Sequence, residues 1–133
     1  AVALEDGLIV PVVKDVDRKS VTEIATDSRA LVQKARSKQL LPEEYEGAVM
    51  TISNLGAFGI DWVLPIINPG ESAILGVGAI EDKVVAIDGN IGVRSMCHLT
   101  IAVDHRLADG AVGAAFLRQV VDLLETPSQL IGG

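Results

Sequence analysis

Cysteine is nearly absent from this chain. Cys97 is the one thiol among 133 residues, so no internal disulfide can form, and a reducing compartment is compatible with that. Basic residues are scarce too: 11 lysines and arginines stand against 18 aspartates and glutamates, a net charge of −7. This argues against a nucleic-acid partner, which would demand a basic surface. It also means that a phosphate-bearing ligand must find its cations locally or on another chain. No uncharged apolar run approaches the ~18 residues a membrane span needs. No signal peptide, repeat or low-complexity linker is visible. His98, His105 and Cys97 fall short of a zinc set, so no metal is expected. Gly76-Val77-Gly78-Ala79 lacks the rest of a dinucleotide fingerprint, and no helix follows it.

Apolar residues are plentiful. They make up 49% of a chain whose length suits one domain and one core. With no membrane span to absorb it, the excess predicts burial against other subunits. The opening Ala1-Val2-Ala3-Leu4 has no initiator Met and no helix start. It reads as the middle of a strand, so the chain is expected to be a piece of something larger.

The periodicities predict strand, helix, several strands, helix, and hence an α/β class with a mixed sheet. Leu8 to Val13 reads as a strand in which Pro11 marks an edge or bulge. Ser20-Val21-Thr22-Glu23 is a capping-box pattern, and apolar residues at helical spacing predict a helix over 21–38. Pro42 to Tyr45 suits a short turn. Strands are expected over 48–53 and 72–80, and a hairpin around Asp88-Gly89-Asn90. Met96 to Asp104 alternates, with Cys97, Leu99, Ile101 and Val103 on one face. A helix over 111–125 stops before Pro127.

The chemistry concentrates at Asp104-His105-Arg106-Leu107-Ala108-Asp109-Gly110, a strand-to-helix junction with imidazole and carboxylate four residues apart. An imidazole can accept a proton at neutral pH, and a nearby carboxylate can orient it or pin its loop. The ordinary readings are a histidine bonded to a backbone carbonyl and an aspartate N-cap. The second need not exclude catalytic support. Ser53 precedes Asn54 after a strand, where a turn-forming pair is the ordinary reading; it lies fifty-two residues before His105.

The short pattern His-x-x-x-Asp-Gly resembles the signature of the chloramphenicol acetyltransferase-like superfamily. The longer form resembles dihydrolipoamide acyltransferases, the core components of 2-oxo acid dehydrogenase complexes. Thr51 to Gly59 resembles their second signature, and Asp6 to Val12 and Pro65 to Pro69 resemble two further blocks. The four blocks cover essentially all of residues 1–133. They correspond to the C-terminal portion of the acyltransferase catalytic domain. The upstream part of that domain and the lipoyl and peripheral-subunit-binding domains precede it in the family and are not in this sequence.

The resemblance implies a two-layer sandwich, a mixed sheet with helices on one face. It implies that His105 is the general base, that Asp109 supports it, and that Ser53 donates to the oxyanion. In the family an upstream arginine holds the aspartate, and no residue here matches it. Asn54, Leu55, Gly56, Ile66 and Leu75 would contact substrate. The substrates would be coenzyme A and a lipoyl group carried on a domain outside this chain, with no metal. The assembly would be a homotrimer with its site in a channel between subunits. Trimers would build a 24- or 60-subunit core, cubic or dodecahedral, that joins other components of the complex. The apolar tail Pro127 to Ile131 would insert into a neighbouring trimer. The location would be bacterial cytoplasm or mitochondrial matrix. Ser53-Asn54-Leu55-Gly56 resembles the acetyl-transferring members, because succinyl-transferring relatives tend to carry glycine at Leu55's place. Two alternatives stay open: a non-catalytic or truncated, inactive core subunit of the same complex, and a chloramphenicol acetyltransferase, in which the Thr51 to Gly59 signature is not expected.

Overall fold

The computed structural model describes residues 1–131; Gly132 and Gly133 lie outside the described residues. The chain divides into two compact units, Ala1–Val49 with Arg118–Gly133, and Met50–Leu117.

In the first unit, β1 (Val2–Leu4) and β2 (Gly7–Ile9) form an antiparallel hairpin. The strand expected to reach Val13 stops at Ile9, two residues before Pro11, which has no N–H for a ladder. Val12 instead donates its N–H to the Glu44 carbonyl at 2.7 Å. Helix α1 (Val21–Arg36) starts with the expected capping box. Ser20 Oγ accepts from the Glu23 N–H at 3.3 Å, and a Glu23 carboxylate oxygen accepts from the Ser20 N–H at 2.7 Å. The helix ends two residues earlier than its periodicity suggests. Lys38 adopts a left-handed φ of 56°. Its N–H bonds Ala35 at 3.1 Å, and Gln39 bonds Lys34 at 2.8 Å. That is a Schellman termination with lysine where glycine is usual. A 3₁₀ turn follows at Pro42–Glu44. A four-residue helix, α3 (Ser128–Ile131), carries the tail, in which Leu130 and Ile131 are exposed.

The second unit contains the mixed sheet. Its order is β3 (Met50–Asn54), β4 (Ala73–Val77), β7 (Leu99–Val103), with β3 and β4 parallel and β4 and β7 antiparallel. Between β4 and β7 lies a separate hairpin, β5 (Glu81–Ile87) and β6 (Asn90–Met96). Asp88 and Gly89 both have positive φ, 48° and 81°, as a type I′ turn requires. The expected strand over 72–80 is shorter: Gly78 carries the ladder one residue further, to the His98 carbonyl, and Ala79 bonds the Ile60 carbonyl instead. The run read as one alternating strand from Met96 is broken: Met96 closes β6, and Cys97 and His98 connect it to β7.

Every residue of β7 is half-buried, so both faces of that strand are covered. On one face the extended segment Asp61–Pro65 crosses, and Thr100 Oγ1 donates to the Val63 carbonyl at 2.5 Å. On the other, helix α2 (Gly110–Glu125) packs its first turns; a Cβ at Gly113 would lie 3.2 Å from Val103. The core is small: Val63, Ala73, Ile74, Leu75 and Ala79. Leu64 and Ile66 are almost fully exposed, at 88% and 87%.

Candidate active site

His105 stands in a tight turn at the C-terminal end of β7. The Asp104 N–H donates to the Ser72 carbonyl at 2.8 Å, carrying the ladder one residue past the strand. The Asp104 carbonyl then accepts from Leu107 at 2.8 Å and Ala108 at 3.1 Å. Its carboxylate accepts from the Arg106 N–H at 3.0 Å and from the guanidinium at 2.6–3.1 Å. Those side-chain bonds, then the backbone bond, hold the Asp104 carboxyl down to about 2. The aspartate and arginine flanking His105 therefore brace the turn, and the imidazole between them is exposed. Asp109 caps α2: its Oδ1 accepts from the Val112 N–H at 2.9 Å, and its carbonyl accepts from Gly113 at 3.1 Å. With Asp109 as cap, the helix begins at Gly110, one residue earlier than expected.

Ser53 is the penultimate residue of β3, half-buried, opposite Gly76. It shares its strand face with buried Thr51. Thr51 Oγ1 donates to Glu71 Oε1 at 2.9 Å, and the Asn68 amide donates to both, at 3.0 and 3.1 Å. Past Ser53 the chain turns hard. Asn54 Oδ1 accepts from the Gly56 N–H at 2.9 Å, and the Leu55 N–H reaches the Val77 carbonyl at 3.1 Å. A Cβ at Gly56 would sit 2.6 Å from the Gly78 carbonyl oxygen, so only glycine fits without a shift. A 3₁₀ turn, Gly56–Phe58, closes on Gly59 at φ 73°. Of the other candidate substrate contacts, Leu55 is part-exposed, Ile66 is exposed, and Leu75 lies in the core at 8% exposure.

The sheet register keeps Ser53 and His105 apart. Ser53 pairs with Gly76, which pairs with Thr100, so Ser53 lies two strands from β7. His105 lies five residues beyond Thr100, past the opposite end of the sheet. At about 3.3 Å per residue and about 4.8 Å per strand, their Cα atoms are roughly 19 Å apart. A serine and a histidine side chain together span less than half of that.

Sequence reasoning missed a second polar cluster. Asp61 Oδ1 lies 2.9 Å from His98 Nδ1, Lys83 Nζ donates to both Asp61 carboxylate oxygens at 2.9 and 3.1 Å, and Trp62 stacks on His98 at 4.4 Å. Bonds first from Lys83, then from His98, lower the Asp61 carboxyl below its usual range. Glu71 was missed as well. Asn68 is three residues from Glu71, but Thr51 lies 20 residues from Glu71, and Lys83 and His98 lie 22 and 37 from Asp61, so no local pattern signals either cluster. Among the described residues, no group of three His, Cys, Asp or Glu side chains is placed to hold a metal. No helix there is long and apolar enough to cross a membrane.

The sequence profile of the 2-oxoacid dehydrogenase acyltransferase catalytic domain matches residues 1–132. The chain belongs to that family. It is 38% identical over 131 residues to the acetyltransferase component of a Rickettsia bellii pyruvate dehydrogenase complex, covering 98% of this chain and 31% of that protein. It is 44% identical over 134 residues to component 2 of the mitochondrial acetyltransferase of Arabidopsis thaliana, covering 98% and 25%. A Haemophilus influenzae succinyltransferase of the 2-oxoglutarate dehydrogenase complex is 41% identical over 131 residues, covering 98% and 32%. The chain thus spans a third or less of the curated relatives it matches.

The fold is shared with solved members of the family. One is the dihydrolipoamide acetyltransferase of Azotobacter vinelandii, in a structure concerned with the role of a serine, a histidine and an asparagine in its catalytic mechanism. Its TM-score is 0.89 at 40% identity, covering 98% of this chain and 54% of that one. There the histidine follows the serine by fifty-two residues and the asparagine follows the histidine by four. Those are the spacings of Ser53, His105 and Asp109, with aspartate here in the asparagine's place. The cubic core of a pyruvate dehydrogenase complex matches equally well, at a TM-score of 0.89.

Proposed function

We propose that this chain is part of a dihydrolipoamide acyltransferase, moving an acetyl group between the thiols of dihydrolipoamide and coenzyme A. The observation that carries this reading is the pairing of Ser53 with His105: two family signatures at the spacing of the Azotobacter catalytic serine and histidine, His105 in a braced turn and Ser53 just before one. Because one chain holds them roughly 19 Å apart, a complete site needs Ser53 from one copy and His105 from the next. A channel between the subunits of a trimer meets that demand. The exposed Leu64 and Ile66 supply apolar surface for such contacts.

In the mechanism, His105 takes the coenzyme A thiol proton as general base. A free thiol titrates about two units above a free imidazole, so the transfer is uphill by about 2.7 kcal/mol, which a positioned pair tolerates. The thiolate attacks the thioester carbonyl. The Ser53 hydroxyl then donates to the oxyanion, an interaction whose loss typically costs about 100- to 1,000-fold in rate. The tetrahedral intermediate collapses, and His105 returns the proton to the departing lipoyl thiol. Asp109 caps α2 and so fixes the far end of the His105 loop. Leu55 favours acetyl over succinyl transfer in this reading.

The test is direct. Intact assembled protein should transfer acetyl from acetyl-coenzyme A to dihydrolipoamide and leave chloramphenicol untouched. The reverse preference, or no transfer to either, would overturn the assignment.

A further inference from the structure

We propose that His98 and Asp61 are positioning residues for Ser53, holding the end of β3 where the oxyanion donor stands; this rests on the acyl-transfer reading above. Neither residue belongs to any of the four family-like blocks.

His98 immediately precedes Leu99, which pairs with Val77, which pairs with Asn54. His98 therefore stands at the same end of the sheet as the turn after Ser53. The backbone there has no slack. The His98 carbonyl accepts from Gly78 at 2.9 Å, the Ile60 carbonyl accepts from Ala79 at 2.8 Å, and the Val77 carbonyl accepts from Leu55 at 3.1 Å. A Cβ at Gly78 would fall on the Asp61 carbonyl oxygen, and a Cβ at Gly56 would fall on Gly78. Asp61, Gly78 and Gly56 are thus stacked in contact, and a displacement of the first is passed to the last and to Ser53.

The Asp61 carboxylate ties this stack to two other elements. It receives His98 Nδ1 from the β6–β7 junction and Lys83 Nζ from β5, while it belongs to the extended segment itself. An ionised carboxylate only accepts, so His98 must carry a hydrogen on Nδ1, which fixes its tautomer. Trp62 stacks on the same ring with planes 26° apart and limits its rotation. Removing the imidazole frees Asp61 on one side and loosens the contact that seats Gly56.

The experiment is a double-mutant cycle on the intact assembled protein, assayed by acetyl transfer from acetyl-coenzyme A to dihydrolipoamide. His98→Ala should lower kcat about tenfold, with KM for acetyl-coenzyme A changed less than about twofold, as a displaced donor predicts. His98→Asn, whose amide nitrogen sits near the Nδ1 position, should recover most of that loss. In a Ser53→Ala background, His98→Ala should cost less than about twofold more, because the two act as a unit. The same tenfold loss in that background, no loss in the parent, or no recovery with His98→Asn would each overturn the proposal. Parent-like turnover of Ser53→Ala alone would show instead that the oxyanion role is wrong, and the proposal would fall with it. If His98→Ala does not fold, the same cycle run with Asp61→Asn decides the matter on the same criteria.

Discussion

Gly56→Ala tests whether close backbone contact fixes the Ser53 turn. The added methyl would lie 2.6 Å from the Gly78 carbonyl oxygen, 2.9 Å from its carbon and 3.1 Å from the Ala79 Cα. All three are backbone atoms, and both residues are tied, Gly78 to His98 and Ala79 to Ile60. No side chain can swing aside, so the turn must move by most of an ångström. Overpacking of that kind costs about 1–3 kcal/mol. A 1 Å misplacement of a catalytic group can cost about 100-fold in rate. The expectation is a kcat for acetyl transfer reduced between about tenfold and 100-fold, with a lowered melting temperature. Gly59→Ala is the control: it has φ 73° but nothing within 4 Å of its Cβ. It should pay only the left-handed backbone cost of about 1–2 kcal/mol and keep more of its turnover. A Gly56→Ala protein with the parent's kcat and melting temperature would refute the reasoning.

Other consequences are as concrete. Ser53→Ala should lower turnover far more than it weakens coenzyme A binding, because the donor matters once charge develops; a defect confined to KM would make Ser53 a binding residue. Asp104 titrates at about 2, below the ordinary 3.8, so its bracing of the His105 turn is complete above the ordinary value and is lost as pH falls through about 2. Arg106→Gln should raise the Asp104 midpoint towards 3.8 in a carbon-13 carboxyl titration, and an unchanged midpoint would mean that Arg106 is not the cause. Removing Leu130 to Gly133 should leave trimers but weaken the larger shell. Burying Leu130 and Ile131 against a neighbour would supply about 1.5–3 kcal/mol each. Sedimentation showing full-size particles at the parent's dissociation concentration would count against that anchoring role.

The legible part of this fold was what neighbouring residues decide. Ser20 with Glu23, the Asp88-Gly89 turn and the Asp109 cap involve partners within a few positions, and the structure contains all three. The misplaced boundaries were set from a distance. β4 stops where Ile60 claims the N–H group of Ala79. The strand read through Met96 breaks at Cys97 and His98, where the His98 side chain meets Asp61, 37 residues away. Lys38 ends α1 in a conformation that its side chain does not advertise. At the site, the motifs named Ser53 and His105, but only the strand register reveals that one chain holds them at opposite ends of a sheet.

The most direct measurement follows from that separation. Ser53→Ala and His105→Ala proteins should each lose at least about 100-fold in acetyl transfer. Dissociated, mixed in equal amounts and reassembled, the two inactive proteins should recover activity. A random mixture places an intact Ser53 opposite an intact His105 in about one quarter of sites, so about one quarter of the parent's activity should return. Mixtures no more active than their parents, at confirmed co-assembly, would contradict a site built from two copies.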